Sequence, residues 1–135
     1  MDGRGVAAAM VLGAGAVQMG TAFLTCDEAG VVEAYKVAIE RATEADTGLT
    51  RAFSGRTARG VVNTVMRGIH EDAILPFPLQ NVLTRPMRTE AGRQGKSEYL
   101  SLWAGQGLRL ARRGSAAELM RRLVEEAEAA IAKVQ

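Results

Sequence analysis

Apolar residues recur along the chain at two spacings, and these divide it into elements. From Arg4 to Leu12, RGVAAAMVL is rich in helix formers and is followed by Gly13 and Gly15, the residue type that favours the left-handed turn ending a helix. The next four residues, AVQM at 16–19, are apolar but for Gln18 and predict a short buried strand. Helix, glycine turn, strand and then Gly20-Thr21 is the order of one unit of a parallel α/β fold. Ligands in such folds collect at the C-terminal ends of strands, which is where Gly20-Thr21 falls.

Farther on, EAGVVEAYKVAIERATEA at 28–45 places Val32, Tyr35, Ile39 and Ala42 on one helical stripe, with Asp27 and Glu28 near its positive end. This predicts an amphipathic packing helix. The run TGLTRAFSGR at 47–56 reads as a short strand or extended loop, and ARGVVNTVMRGI at 58–69 as a third helix with Val62, Val65, Met66 and Ile69 inward. Residues 74–80, ILPFPLQ, hold two of the three prolines and predict a loop lying on the body of the domain. Residues 79–93 are predicted helical around a kink at Pro86, and 97–113 helical apart from the Gly105 and Gly107 region. The clearest signal comes last: Ser115-x-x-Glu118 is a capping box, followed by the stripe Leu119, Leu123, Ala127, Ile131 and Val134. There is no internal repeat.

Composition narrows the function. The 135 residues are 47% hydrophobic and 24% charged, as in an ordinary folded domain, and with aromatics at 4% the core must be built from Ala, Val, Leu, Ile and Met. A formal net charge of +2 is too small to predict a nucleic-acid partner. Arg109, Arg112, Arg113, Arg121 and Arg122 are offset by Glu118, Glu125, Glu126 and Glu128, the pattern of a solvated helix surface. One cysteine, Cys26, and one histidine, His70, exclude an intrachain disulfide and a Cys/His zinc site within one chain, and the expectation is a reducing, cytoplasmic setting with no metal. No uncharged apolar stretch of about 18 residues predicts a membrane span. The apolar N-terminus has an acidic residue before its only Arg and two glycines flanking that Arg, so it reads as folded protein and not as a leader.

Few residues carry chemistry. Gly20 would let a phosphate approach the main chain, with the Thr21 hydroxyl and the first amides of a following short helix as donors; equally, Gly20 would permit a turn and Thr21 cap a helix. Trp103, followed by Ala-Gly-Gln-Gly, fits either a ligand wall or a tight helix crossing. His70, beside Glu71 and Asp72, reads as a helix-end cap, and Cys26 as a small buried or half-buried thiol.

Four ordered runs carry a resemblance over essentially the whole chain: DGRGVAAAMVLGAGAVQMGTAFLT at 2–25, LTRAFSGRTARG at 49–60, PFPLQNVLTRPMR at 76–88 and EYLSLWAGQG at 98–107. They resemble the C-terminal portion of nitronate monooxygenases, formerly 2-nitropropane dioxygenases. The resemblance implies an FMN-binding TIM (β/α)8 barrel with an appended mainly helical region. In that family the flavin phosphate rests on a Gly-Gly loop after the seventh strand and a Gly-Thr turn after the eighth. The matching positions are Gln18, Met19, Gly20 and Thr21.

The sequence also departs from the family pattern. The seventh strand and its glycine pair should lie directly before Asp2-Gly3-Arg4-Gly5, and no such residues are present. A full barrel needs about 250 residues. The expectation is therefore an incomplete fragment: residues 1–30 supply the last barrel helix, last strand and phosphate-binding turn, and 31–135 a mainly helical C-terminal region. The catalytic histidine of resembling enzymes belongs upstream and His70 does not match it, so no catalytic residue is assigned. The implied activity is oxidation of alkyl nitronates with O2 to carbonyl compound and nitrite, with the chain alone inactive. Two alternatives stand beside it: a flavin-dependent enoyl-acyl-carrier-protein reductase-like enzyme, which the PFPLQN and AFSGR runs disfavour, and a non-catalytic interaction domain. The expected partners are a small nitronate and O2, together with the missing barrel portion or a second copy of the chain.

Overall fold

The computed structural model describes residues 2–133. Two compact units make up the chain, one from Met1–Gly30 with Leu110–Gln135 and one from Val31–Arg109. The C-terminal helix thus belongs with the first thirty residues, whereas the sequence reading grouped it with the region from residue 31 onward.

The first unit begins with helix α1 (Gly3–Val11), started by Asp2, whose Oδ1 accepts from the Gly5 amide at 3.3 Å. The Arg4 guanidinium, 2.7 Å from the same carboxylate, holds the Asp2 pKa below its usual value. Gly13 adopts φ 95°, the left-handed turn expected after the helix, and Gly15 does not. A four-residue helix α2 (Thr21–Leu24) follows. The unit closes with helix α6 (Ala116–Ala132), whose capping box is formed as predicted, Ser115 Oγ accepting from the Glu118 amide and Glu118 Oε2 from the Ser115 amide. Leu119, Leu123 and Ala127 on α6 are buried. Val134 lies outside the described residues. Leu119 and Leu123 form one cluster with Ala22 and Cys26, flanked by Val6, Met19 and Phe23. Each buried leucine contributes about 1.5–3 kcal/mol. Cys26 is the buried thiol the sequence suggested.

In the second unit, helix α3 (Glu33–Arg41) is shorter than the periodicity implied. Ile39 is fully buried, but Val32 only precedes the helix and stays exposed. Glu33, and not Asp27 or Glu28, supplies the acidic first turn; Glu28 instead accepts from the Ala116 amide at 2.9 Å in the first unit. Strands β1 (Thr47–Thr50) and β2 (Ala58–Val61) pair antiparallel, Thr47 opposite Val61 and Thr50 opposite Ala58. This corrects the helix predicted over 58–69, of which only α4 (Thr64–Gly68) forms. Asn63 stops the strand and starts the helix by accepting from the Met66 amide. A helix through Gly60 would also forfeit the close approach of Leu102, whose carbonyl oxygen lies 2.7 Å from where a Cβ would stand.

Helix α5 (Leu79–Arg93) runs through Pro86 after the expected proline loop. It is bound to the hairpin turn by two buried side chains, Gln80 donating to Ala52 O and Thr84 to Phe53 O, both at 2.6 Å. The helix predicted over 97–113 is replaced by 3₁₀ turns at 97–99 and 106–110 with an extended stretch between. Local propensity loses there to tertiary hydrogen bonds: the Val61 amide donates to Leu102 O, the Ala104 amide to Arg59 O, and Asn63 Nδ2 to Leu100 O. Trp103 meets Phe53 edge to face at 5.6 Å, so it is a packing residue on the hairpin and forms no helix crossing.

Residues 16–19, predicted as a strand, join no ladder among the described residues. A strand is defined by a hydrogen-bonded neighbour, and none is offered here. The described sheet is the two-stranded β1-β2 pair alone, and no barrel forms within these residues.

Candidate functional site

The Gly20-Thr21 turn is held from behind. Past the end of α2, Thr25 Oγ1 donates to Arg112 O at 3.0 Å, the Asp27 amide donates to Gly114 O at 3.0 Å, and Cys26 bridges Gly114. The fixed α2 packs Ala22 into the Leu119 and Leu123 cluster. Its other end begins at Gly20, which stands in the N-cap position with no side-chain cap.

Gly20 has φ −101°, a backbone any residue adopts, so it is not glycine for the sake of a left-handed turn. A Cβ built there meets nothing within 4 Å. The space beside this residue is open. Among the described residues no acceptor meets the Gly20 amide. Thr21 is the first residue inside α2 and is half-buried, so it is not the helix cap.

Gln18 and Met19 fall elsewhere. Both line an apolar groove of about 570 Å³, with Val6, Met10, Val17 and Phe23 from the N-terminal stretch and Met120 and Val124 from α6. Gln18 is exposed, and Met19 is half-buried against the Leu119 and Leu123 cluster. The four sequence-predicted positions thus separate into a pair at the helix start and a pair on the groove. Sequence reasoning missed the groove: Leu123, Ala127 and Ile131 of the predicted stripe line it, but only the fold brings them, with Met120 and Val124, to Val17.

The remaining candidates carry no site. The His70 side chain is 83% exposed, with Nδ1 3.3 Å from Asp72 Oδ2, and it precedes a 3₁₀ turn instead of capping a helix. Arg109 pairs with Glu44 at 3.0 Å on the surface. Tyr35, half-buried, donates to Trp103 O at 2.7 Å, and burial raises its phenol pKa. Among the described residues no group of three or more His, Cys, Asp or Glu could hold a metal, and no helix is long and apolar enough to cross a membrane.

The sequence matches the nitronate monooxygenase family over residues 1–126, and the chain belongs to that family. A probable nitronate monooxygenase of Staphylococcus saprophyticus is 46% identical over 129 residues, covering 94% of this chain and 36% of that protein. The nitronate monooxygenase of Pseudomonas aeruginosa is 44% identical, covering 93% of this chain and 37% of that protein. A crystal structure of nitroalkane oxidase from Streptomyces ansochromogenes superposes with TM-score 0.94 at 39% identity, over 100% of this chain and 39% of that one. FabK from Thermotoga maritima superposes with TM-score 0.80 at 32% identity, over 98% and 43%. The chain therefore spans a little over a third of the length of the curated relatives it matches.

Proposed function

We propose that these residues form the C-terminal part of an FMN-dependent enzyme that oxidises alkyl nitronates with O2 to a carbonyl compound and nitrite. In this reading residues 16–19 are the last strand of a (β/α)8 barrel. Gly20 and Thr21 hold the flavin phosphate, and Gln18 and Met19 contribute main chain only. The flavin supplies the redox chemistry. The role of this chain is to bind and orient its phosphate through the Gly20 amide, the Thr21 hydroxyl and the first amides of α2.

One observation carries the reading. At Gly20 the main chain is open on the side where a Cβ would stand, although the backbone conformation there does not require glycine. Behind the turn, Thr25 and Asp27 are tied to Arg112 O and Gly114 O, and beside Gly20 there is room for an anion to approach the main chain. No residue of this chain is given a catalytic role, and His70, on the surface, is given none.

The test joins the chain to the segment that precedes the matched region in the Staphylococcus saprophyticus relative, then measures flavin retained after dialysis and nitrite released from propionate 3-nitronate. Gly20→Val should lower flavin occupancy about tenfold or more while the circular dichroism spectrum is unchanged. Equal flavin retention in the variant would overturn the phosphate assignment. Reduction of a crotonyl thioester by NAD(P)H in place of nitronate oxidation would transfer the activity to the reductase alternative.

A further inference from the structure

Helix α2 is one turn, four residues long, and helices shorter than about 12 residues are marginal unless something outside them holds them. Its angle is therefore set by anchors elsewhere in the chain. One is apolar: Ala22 is buried in the Leu119 and Leu123 cluster. Contact between one methyl group and leucines is non-directional and leaves a single turn free to rotate. The directional anchor is at the far end, where Thr25, the C-cap residue, is fully buried and its Oγ1 donates to Arg112 O at 3.0 Å. Beyond it the Asp27 amide donates to the carbonyl of Gly114, which holds φ 139°, a conformation open mainly to glycine. Residues 25, 27 and 28 are thus tied in step to 112, 114 and 116. Of these ties that of Thr25 is nearest the Gly20-Thr21 turn, about 6 Å along the helix axis from Thr21.

We propose that Thr25 is a positioning residue for the flavin phosphate: without touching the phosphate, its hydroxyl fixes the rotation of α2 and so the direction of the main chain at Gly20. The proposal rests on the phosphate reading above. An anion bound by main-chain N–H groups needs them held at one angle before it arrives, because a hydrogen bond weakens steeply as it bends. The Phe23 amide donates to Gly20 O at 3.0 Å, and this bond carries the orientation of the helix to the peptide group that joins Gly20 to Thr21. A loosened C-cap therefore reaches the turn through one hydrogen bond. Thr84 makes a bond of the same kind, hydroxyl to carbonyl, to Phe53 O in the second unit, and it separates the effect of position from that of lost stability.

The experiment titrates the joined protein described above with FMN and with riboflavin, which lacks the phosphate. Thr25→Val keeps the shape and removes the donor; it should weaken FMN about tenfold and leave riboflavin within about twofold, so that the preference for FMN falls. Thr25→Ser keeps the hydroxyl and should bring FMN back to within about threefold of the parent. Thr84→Val should change neither affinity. Equal weakening of both ligands in Thr25→Val, an unchanged FMN affinity, or no recovery with serine would overturn the proposal. A second measurement needs no flavin: in the chain by itself, amide exchange at Phe23 should quicken about tenfold in Thr25→Val and not in Thr25→Ser. Unchanged exchange would overturn the positioning role however the flavin binds. A parent that binds riboflavin as tightly as FMN would sink the phosphate reading itself, whereas a preference for FMN that survives Thr25→Val intact would sink the role of Thr25 alone.

Discussion

The Gly3 amide donates to Glu126 Oε2 at 2.8 Å, tying the first turn of α1 to the middle of α6. Contact there is so close that a Cβ on Gly3 would lie 2.6 Å from Ala127 N and from Leu123 O, and would overlap Glu126 Cβ. Alanine ordinarily favours a helix over glycine by about 1 kcal/mol, but backbone atoms cannot move aside as a side chain can. Gly3→Ala should therefore destabilise the protein by about 1–3 kcal/mol. A lowered urea midpoint with unchanged slope is the expected signature.

Asn63 is 1% exposed and makes three bonds: Nδ2 donates to Ser97 O and Leu100 O, and Oδ1 accepts from the Met66 amide. Asn63→Ala should cost about 2–4 kcal/mol, from a lost cap and two stranded carbonyls. Asn63→Asp keeps the cap and sets a carboxylate against those carbonyls. It should remain destabilised at neutral pH and recover in part when acid supplies it with a proton to donate. Thermal unfolding at two pH values distinguishes the substitutions.

Thr84→Val preserves shape but leaves Phe53 O without its 2.6 Å donor. The expected cost is about 1–3 kcal/mol, since the carbonyl stays buried without a partner. Because the same helix is also held by Gln80 through Ala52 O, the double variant with Gln80→Ala should depart from additivity. Chemical denaturation of the single and double variants measures the coupling.

Acid should destabilise the fold through the carboxylates that accept hydrogen bonds. Glu98 Oε2 takes both the amide and the hydroxyl of Thr64, and these bonds hold its pKa below the ordinary 4.5. A depressed folded value contributes stability that is fully present above the unfolded pKa and is lost as pH falls through the folded one. Asp2, through Arg4, and Glu118, through Ser115, act in the same direction. Stability should be flat near neutrality and fall below about pH 4.5, with Glu98→Gln flattening the acid limb in urea titrations followed by circular dichroism.

Gly20→Ala should fold almost as the parent does. The conformation at φ −101° suits alanine and the space beside it is open, so the loss should be no more than about 1 kcal/mol, mostly from a poorer cap. A large loss of stability would mean that Gly20 serves the fold and not a ligand. Differential scanning calorimetry decides between them.

Elements whose signal is local were legible in the sequence. The Ser115 and Glu118 box and the Leu119, Leu123 and Ala127 stripe define α6, because capping and period are properties of neighbours within one helix. The end of α1 at Gly13 and the proline loop before α5 follow from backbone restrictions of single residues. Family membership was also carried by the sequence, in its four ordered runs. Tertiary structure alone decided the rest. Residues 58–61 and 100–104 were taken from the helical state by the hydrogen bonds they make to one another, and their helical spacing could not reveal those partners. It also decided that Gln18 and Met19 face a groove while Gly20 and Thr21 open a helix, a division set by α6 packing from about a hundred residues away. The apolar run at 16–19 predicts a strand, but a strand exists only where another chain segment meets its amides and carbonyls, and no described residue does so, so these residues join no ladder here.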